Sequence, residues 1–194
     1  MVLADYQIVL ASKSPRRQQL LSGMDIHFTI QTKETEESFP AEMPLQKVAP
    51  FLSEKKAMAF EIAELPANFL LITADTVVIV ENQILNKPAN TAEAVFMLQQ
   101  LSGKTHQVVT GVCLRSAHKT ITFSESSDVT FGVLTLEEIQ RYVDHYEPFD
   151  KAGAYGIQEW IGYIAIKSVS GSFYNVMGLP THRLFEELKN FSSH

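Results

Sequence analysis

The stretch from Tyr6 to Arg17, YQIVLASKSPRR, decides which class of fold the chain adopts. Tyr6–Ala11 is a short apolar run and predicts a buried β-strand. Ser14 followed by Pro15 is typical of a helix start, with serine as the N-cap and proline at the first helical position. Gly23 predicts that this helix ends early. A strand that leads directly into a helix is the basic unit of α/β proteins.

The same turn is a candidate anion site. A helix N-terminus offers backbone N–H groups and the positive end of the helix dipole, and both favour a bound phosphate. Arg16 and Arg17 add two guanidinium groups at this point. An ordinary N-cap flanked by solvated arginines explains the same residues equally well. The pattern alone therefore leaves both interpretations open.

Strands and helices alternate along the rest of the chain. Further strands are predicted at His27–Gln31, Leu70–Thr73, Val77–Val80, Ile84–Leu85, His106–Leu114, Thr120–Phe131 and Ile161–Ser168, the second and third of these either separate or one interrupted strand. Helices are predicted at Leu45–Leu65, Asn90–Gly103 and Thr135–Tyr146, and from Pro180 onward. Pro50 is expected to kink the first of these helices or to mark its true start. The alternation predicts an α/β fold with a mixed sheet.

Composition limits the classes of function. The chain has 194 residues, of which 45% are hydrophobic and 20% charged, so we expect a globular protein with one domain over residues 1–194. The net charge of −6 argues against binding duplex DNA through broad electrostatics, and no nucleic-acid partner is expected. An anionic ligand would need a local basic cluster.

The cysteine content and the hydropathy pattern predict a cytoplasmic protein. Cys113 is the only cysteine, which excludes an intramolecular disulfide, and its apolar surroundings predict a core thiol. The N-terminal residues do not follow the order of a signal peptide, because the first basic residue, Lys13, comes after the apolar stretch. The longest apolar region, Phe69–Val80, is interrupted by Asp75 and is too short to span a bilayer.

Asp75 is the strongest single candidate for chemistry. A carboxylate between apolar residues is costly to bury unless it is paired or binds a metal. The alternative is that Asp75 caps a turn between two strands, and the apolar flanks favour a functional role. Glu36 and Glu37, in the polar loop Lys33–Glu42, could supply metal ligands or form a solvated acidic loop. Lys56 and Lys87 by themselves are typical of surface lysines.

The glycine-rich segment Asp150–Gln158, DKAGAYGIQ, predicts a loop that folds closely against a neighbouring part of the molecule or a ligand. Other catalytic patterns are missing from the sequence. Gly103-Lys104-Thr105 resembles the end of a P-loop, but it follows a helix and the first glycine of that motif is replaced by Leu98. The six histidines lack the spacing of a zinc site.

Several segments together resemble the Maf family of nucleoside triphosphate pyrophosphatases. The opening motif of that family is similar to VLASKSPRR at residues 9–17. Its later motifs are similar, in order, to ADTVV at 74–78, KP at 87–88, LSGKTH at 101–106, DKAGAYGIQ at 150–158 and GLP at 178–180. Each motif is weak alone, and their order and spacing make the resemblance specific over nearly the whole chain.

The resemblance implies a fold, an activity and a set of site residues. The implied fold is the inosine-triphosphate-pyrophosphatase-like α/β fold, an elongated mixed sheet with helices on its faces and a cleft between two lobes, commonly dimeric. The implied reaction is hydrolysis of a nucleoside triphosphate to the monophosphate and pyrophosphate with Mg²⁺ or Mn²⁺. Asp75 matches the proton acceptor and a metal ligand, together with Glu36 or Glu37. The residues that match the phosphate side are Ser12, Ser14, Arg16, Arg17, Lys56 and Lys87.

Three positions that separate two subgroups of the family are Arg16, Thr76 and Gln158 in this chain. All three resemble the subgroup that acts on dTTP and UTP, whereas a second subgroup acts on 7-methyl-GTP. A nucleotide-binding regulator of cell division and septum formation is the alternative that a non-catalytic site would support. The chain departs from the family at Glu159, where glycine is usual, and a carboxylate there predicts either repulsion or an additional metal ligand.

Overall fold

The computed structural model describes residues 6–191. Residues 1–5 and 192–194 lie outside this range. The ends of the expected domain, His194 and the first part of the N-terminal stretch that was compared with a signal peptide therefore lie outside the described residues. The described strands are β1 (Gln7–Leu10), β2 (Thr29–Ile30), β3 (Phe69–Val80), β4 (Gln83–Leu85), β5 (Thr105–Arg115), β6 (Thr120–Phe131) and β7 (Ile166–Ser170). The described α-helices are α1 (Pro15–Ser22), α2 (Leu45–Met58), α3 (Thr91–Leu101), α4 (Leu136–Tyr146), α5 (Trp160–Ala165), α6 (Phe173–Met177) and α7 (Thr181–Phe191).

The strands form one mixed sheet, so the predicted α/β class is confirmed. Their order is β2-β1-β3-β5-β6-β7, and β4 pairs with β3 in addition. Strand β1 is parallel to both β2 and β3, whereas β4 is antiparallel to β3 and β7 is antiparallel to β6. The predicted return of β4 is confirmed: Glu81 and Asn82 both have positive φ, as a tight hairpin turn requires.

The chain divides into two compact units. The first contains the described residues up to Asp75, together with Thr110–Glu125 and the residues from Gly178 onward. The second contains Thr76–Val109 and Ser126–Met177. No helix within residues 6–191 has the length and apolar character needed to cross a membrane.

The core of the first unit contains the single cysteine. Cys113 is fully buried, and burial raises the pKa of its thiol to about 11, which confirms the prediction of an unreactive core thiol. The cluster around it consists of Val9, Ala57, Phe60, Leu65, Phe69 and Leu71. These residues come from β1, β3, and from α2 and the segment that follows it, so packing here fixes the helix on the sheet.

Close packing of α2 on β5 depends on Gly111. A Cβ at this position would lie 2.2 Å from the nitrogen of Pro50, well inside van der Waals contact. Pro50 lies inside α2 and neither ends nor starts it, and the helix stops at Met58. The predicted helix up to Leu65 is therefore wrong in its last part, where a short 3-10 turn at Ile62–Glu64 is found instead.

The second unit packs α3 against α4. Both helices start at the capping residues expected from the sequence: Asn90 accepts a hydrogen bond from the backbone N–H of Glu93, and Thr135 forms a capping box with Glu138. An aromatic cluster of His106, Phe131 and Tyr155 is buried in the same unit, with edge-to-face ring contacts of 5.0 to 5.4 Å.

The predicted strand Ile161–Ser168 is wrong in its first half. Residues 160–165 form α5, and β7 begins only at Ile166. The short apolar run fits a strand and a buried helix turn equally well, and the tertiary context selects the helix. The backbone N–H of Gly162 donates to the carbonyl of Glu159 at 2.9 Å, which closes the first turn. Helix α6 was not predicted, because five residues carry too little periodicity.

Candidate active site

Asp75 lies inside β3, where its side chain meets the last turn of α2. The Thr73 hydroxyl donates to the Ser53 carbonyl at 2.6 Å and thereby joins the strand to the helix. Lys56 is three residues after Ser53, about one helical turn, and Asp75 is two residues after Thr73 on the same face of the strand. The ammonium of Lys56 consequently lies 2.5 Å from Oδ1 of Asp75.

The Lys56 ammonium also lies 2.7 Å from Oε1 of Glu37, so one cation serves two carboxylates. Asp75 is only 7% exposed, and a carboxylate buried to this extent requires such compensation. Asp75 does not cap a turn, because β3 is continuous from Phe69 to Val80. The alternative of two separate strands with a turn between them is therefore excluded.

Arg17 connects the start of the chain to this strand. Its Nη1 donates to the carbonyl of Ala74 and its Nε to the carbonyl of Gly178, both at 2.8 Å. Burial lowers the pKa of Arg17 below its usual value, and the nearby Asp75 carboxylate opposes that shift. At least two of the five guanidinium N–H groups hold backbone, so Arg17 fixes α1 against the strand that carries Asp75.

The loop between β1 and α1 has the predicted position. Ser14 is the residue before α1 and Pro15 is its first residue, as expected. Ser14 makes no side-chain capping hydrogen bond, and its backbone N–H instead donates to the Ser12 hydroxyl at 3.2 Å. Gln18 reaches back and donates to the Ser12 carbonyl at 3.2 Å. The hydroxyl of Ser12 is therefore held at the positive end of the helix. Arg16 is half-buried beside this turn.

The two acidic loop residues differ in position. Both are exposed in the same loop, and Glu37 reaches the Lys56 ammonium that Asp75 also contacts. Two carboxylates that converge on one cation position fit a hard divalent metal, because Mg²⁺ is usually held by one or two carboxylates with water and substrate phosphate completing its shell. Within residues 6–191, no three His, Cys, Asp or Glu side chains cluster as a preformed metal site.

The remaining predicted site residues belong to the second unit. Thr76 follows Asp75 in β3 and is half-buried, and Lys87 is exposed after β4. Gln158 is half-buried in the predicted loop, and its side-chain carbonyl is buried with no hydrogen-bond donor to it among the described residues. An unpaired buried acceptor is costly, so a ligand that donates to it would relieve that cost.

Glu159, where the family usually has glycine, is paired within the second unit. Its Oε1 lies 3.1 Å from the Lys151 ammonium, and its Oε2 accepts a very short hydrogen bond from the Tyr142 hydroxyl. Lys151 also pairs with Asp150 at 2.7 Å. Tyr142 and Lys151 are not among the predicted site residues, and the only sequence signal that points to them is the replacement of the family glycine by Glu159.

The fold and this arrangement define a class of α/β protein with a buried aspartate beside basic residues and a strand–helix turn. The match to the family of Maf-like proteins covers residues 7–191, and the chain belongs to that family. The resemblance seen in the sequence motifs is therefore confirmed, and the match extends through both compact units.

Curated relatives resemble the chain over almost their full lengths. A dTTP/UTP pyrophosphatase of Porphyromonas gingivalis is 55% identical over 191 residues, 97% of this chain and 96% of the relative. A dTTP/UTP pyrophosphatase of Bacteroides thetaiotaomicron is 51% identical over 188 residues, 96% and 97% of the two chains. A third dTTP/UTP pyrophosphatase, from Flavobacterium psychrophilum, is 46% identical over 184 residues, 95% and 94% of the two chains.

Proposed function

We propose that this protein hydrolyses dTTP and UTP to the monophosphate and pyrophosphate, as the names of its relatives state for those proteins. The observation that carries the proposal is the buried Asp75 carboxylate in contact with Lys56, because hydrolysis needs a group that can accept the proton of water and a cation that can neutralise phosphate oxygens. A pure binding protein would not require a carboxylate facing a triphosphate.

Asp75 is the proton acceptor in this proposal. A water molecule attacks a phosphorus atom of the α–β anhydride, its proton moves to the Asp75 carboxylate, and the electron pair of the broken P–O bond leaves with the other phosphate product. Such a reaction depends on orienting the water and neutralising the phosphate oxygens.

The phosphate side combines the α1 N-terminus with basic and hydroxyl side chains. Charge-assisted contacts to phosphate are stronger than neutral ones, and a helix N-terminus adds its dipole. Arg17 contributes mainly by fixing the strand and helix to each other, since it holds two backbone carbonyls. The other residues assigned to the phosphates are Ser12, Ser14, Arg16, Lys56 and Lys87.

We assign the divalent metal, Mg²⁺ or Mn²⁺, to Asp75 and Glu37. Their oxygens are the ligand type that these ions prefer, and Glu37 is favoured over Glu36 because it already shares a cation with Asp75. The bound ion would supply charge neutralisation on the phosphate oxygens. Lys56 would then be released from the two carboxylates toward the substrate.

Gln158 is assigned to the base, with Arg16 and Thr76 as the other specificity positions. Thymine and uracil both present a carbonyl at C4 and an N–H at N3. The Gln158 amide can donate to the first and accept from the second, and its unpaired carbonyl supports this assignment. A site built on such hydrogen bonds rejects the wrong base, because its polar groups are then left unpaired.

The broader setting follows from the sequence. We propose that residues 1–194 act as one pyrophosphatase domain, since the family match extends through both compact units. We further propose that the protein works as a cytoplasmic homodimer, which size-exclusion chromatography with light scattering would test. Its net charge of −6 argues against nucleic-acid binding, and we propose neither a nucleic-acid nor a membrane partner, whereas the nucleotide is bound by the local basic residues.

Product analysis tests the proposal directly. The protein is incubated with Mg²⁺ and, separately, dTTP, UTP, CTP, dATP and 7-methyl-GTP, and nucleotides and phosphates are separated by ion-exchange chromatography. We expect monophosphate and pyrophosphate, fastest from dTTP and UTP. Orthophosphate as the first product, or faster turnover of 7-methyl-GTP, would contradict the proposal. Asp75→Asn should lower kcat by about 10²- to 10⁴-fold, whereas Asp128→Asn, at an exposed position of β6, is the matched control that should leave kcat unchanged.

A further inference from the structure

Gln158 lies in a turn whose two ends are held by one hydroxyl group. The backbone N–H of Glu159 donates to the carbonyl of Gly156 at 3.0 Å, which closes the four-residue turn 156–159. The hydroxyl of Tyr142 accepts from the backbone N–H of Gly156 at 3.0 Å and donates to the Glu159 carboxylate. Tyr142 is itself fully buried on α4, so the turn is attached to a rigid part of the unit.

The charge of Glu159 is balanced within the same unit. Lys151 is 8% exposed and lies between the carboxylates of Asp150 and Glu159, at 2.7 and 3.1 Å. A buried ammonium requires partners of this kind. The ion pair therefore holds the Glu159 side chain in place at the end of the turn, next to Gln158.

The Glu159 carboxylate lies close to the Gln158 amide. A Cβ on Gly156 would lie 3.0 Å from both Nε2 of Gln158 and Oε1 of Glu159, so the two groups border the same small space. A carboxylate attracts the N–H end of an amide and repels its carbonyl end. Turning the amide by 180° would bring its carbonyl toward the carboxylate, which is unfavourable.

We infer that Glu159, held by Tyr142 and Lys151, fixes which end of the Gln158 amide faces the base and thereby selects uracil or thymine against cytosine. The inference rests on the proposed role of Gln158 in base recognition. Cytosine presents an amino group at C4 and an acceptor at N3, the reverse of uracil. With its carbonyl oxygen free, the fixed Gln158 amide can accept a hydrogen bond from N3–H of uracil. Cytosine requires the opposite orientation of the amide. Glu159, Tyr142 and Lys151 are positioning residues in this arrangement.

The test compares UTP with CTP, because this pair differs only at the edge that the amide would read. Glu159→Gln keeps the shape of the side chain and removes its charge, so either amide orientation becomes possible. We expect the ratio of kcat/KM for UTP over CTP to fall about tenfold, chiefly through a lower KM for CTP, with kcat for UTP within about threefold of wild type. Tyr142→Phe, which frees the carboxylate from its hydroxyl, should lower the ratio in the same direction.

Two further variants keep the test independent of stability. Glu159→Asp retains the charge and should recover most of the UTP preference that Glu159→Gln loses. Thr135→Ala removes the cap of α4, the helix that carries Tyr142, and thereby destabilises that helix. It should leave the UTP over CTP ratio at the wild-type value. Thermal unfolding of each variant shows that the chain is folded at the assay temperature.

Gln158→Ala separates the inference from the function on which it rests. If Gln158→Ala lowers the ratio while Glu159→Gln and Tyr142→Phe both keep the wild-type value, the orienting role of Glu159 is overturned and base reading by Gln158 stands. If Gln158→Ala itself keeps the wild-type ratio, base reading by Gln158 is wrong, and the orienting role falls with it.

Discussion

The ammonium of Lys56 lies 2.5 Å from Oδ1 of Asp75, although the two residues are 19 positions apart in the chain. The same ammonium contacts Glu37 at 2.7 Å. A monovalent cation thus occupies the position where two carboxylates converge, which is the position we assign to a divalent metal. Lys56 and the metal therefore compete for the same oxygens.

Removing Lys56 should strengthen metal binding in the absence of nucleotide. A competitor that contributes about 1.4 kcal/mol weakens binding about tenfold, so Lys56→Met should bind Mn²⁺ about tenfold more tightly while turnover falls. Electron paramagnetic resonance of free Mn²⁺ measures this without any activity. Lys33→Met is the control, because Lys33 pairs with Glu64 alone and not with Asp75. Unchanged Mn²⁺ affinity in Lys56→Met would show that the ammonium and the metal use different oxygens.

Arg16 and Arg17 should give different results although they are neighbours in one motif. Arg17→Ala removes the charged donor from two backbone carbonyls, and hydrogen bonds to a charged group contribute about 1.5 to 3 kcal/mol each, so both the free energy of unfolding and kcat should fall. Arg16→Ala should raise KM for UTP with little change in stability. Urea unfolding and steady-state kinetics on both variants distinguish these outcomes. Equal stability of the two variants would mean that the contacts of Arg17 contribute little to the fold.

Gly111 should tolerate no larger side chain. An added methyl group would lie 2.2 Å from the nitrogen of Pro50 and would push α2, which carries Lys56, away from β5. Overpacking of this kind costs about 1 to 3 kcal/mol or more, so Gly111→Ala should lower both stability and activity. The control is Gly132→Ala, whose Cβ would make an ordinary contact at 3.5 Å with the carbonyl of Ala165. A Gly111→Ala variant as stable as Gly132→Ala would show that α2 can move without cost.

Local signals made much of the fold predictable. The Ser-Pro start of α1, the capping residues Asn90 and Thr135, and the turn after β3 each act within a few residues, and all appear in the structure. The wrong strand prediction at Ile161–Ser168 has the opposite cause. Its first five residues fit the period of a strand as well as that of a helix, and only packing decides between the two.

The candidate site was predictable by residue type and only partly by geometry. The apolar flanks of Asp75 already indicated an unusual carboxylate. Its contact with Lys56 could not be inferred from sequence spacing, because the hydrogen bond between Thr73 and Ser53 determines which turn of α2 faces the strand. Likewise, Arg17 reaches Gly178, 161 positions away, and no local pattern reveals a contact of that range.

Acid should destabilise the protein through His106. This residue is 2% exposed, and its Nε2 lies 2.7 Å from the hydroxyl of Tyr155 inside the aromatic cluster. Burial lowers the pKa of His106 from 6.5 to about 4, so the folded state keeps the ring neutral over a range in which the unfolded chain takes up a proton.

The sign of the pH effect follows from that difference. Because the pKa is lower in the folded state, the stability associated with neutral His106 is complete above pH 6.5 and is lost as the pH falls toward 4. Between pH 7 and pH 5 the loss from this residue is about 2 kcal/mol.

In His106→Gln the fall in unfolding free energy over this interval should therefore be smaller by about 2 kcal/mol, even though the variant is less stable at pH 7. Urea unfolding at both pH values measures the difference, and His118→Gln, at an exposed position, should keep the wild-type pH dependence. If His106→Gln loses as much stability as the wild type between pH 7 and pH 5, His106 already carries its proton in the folded core.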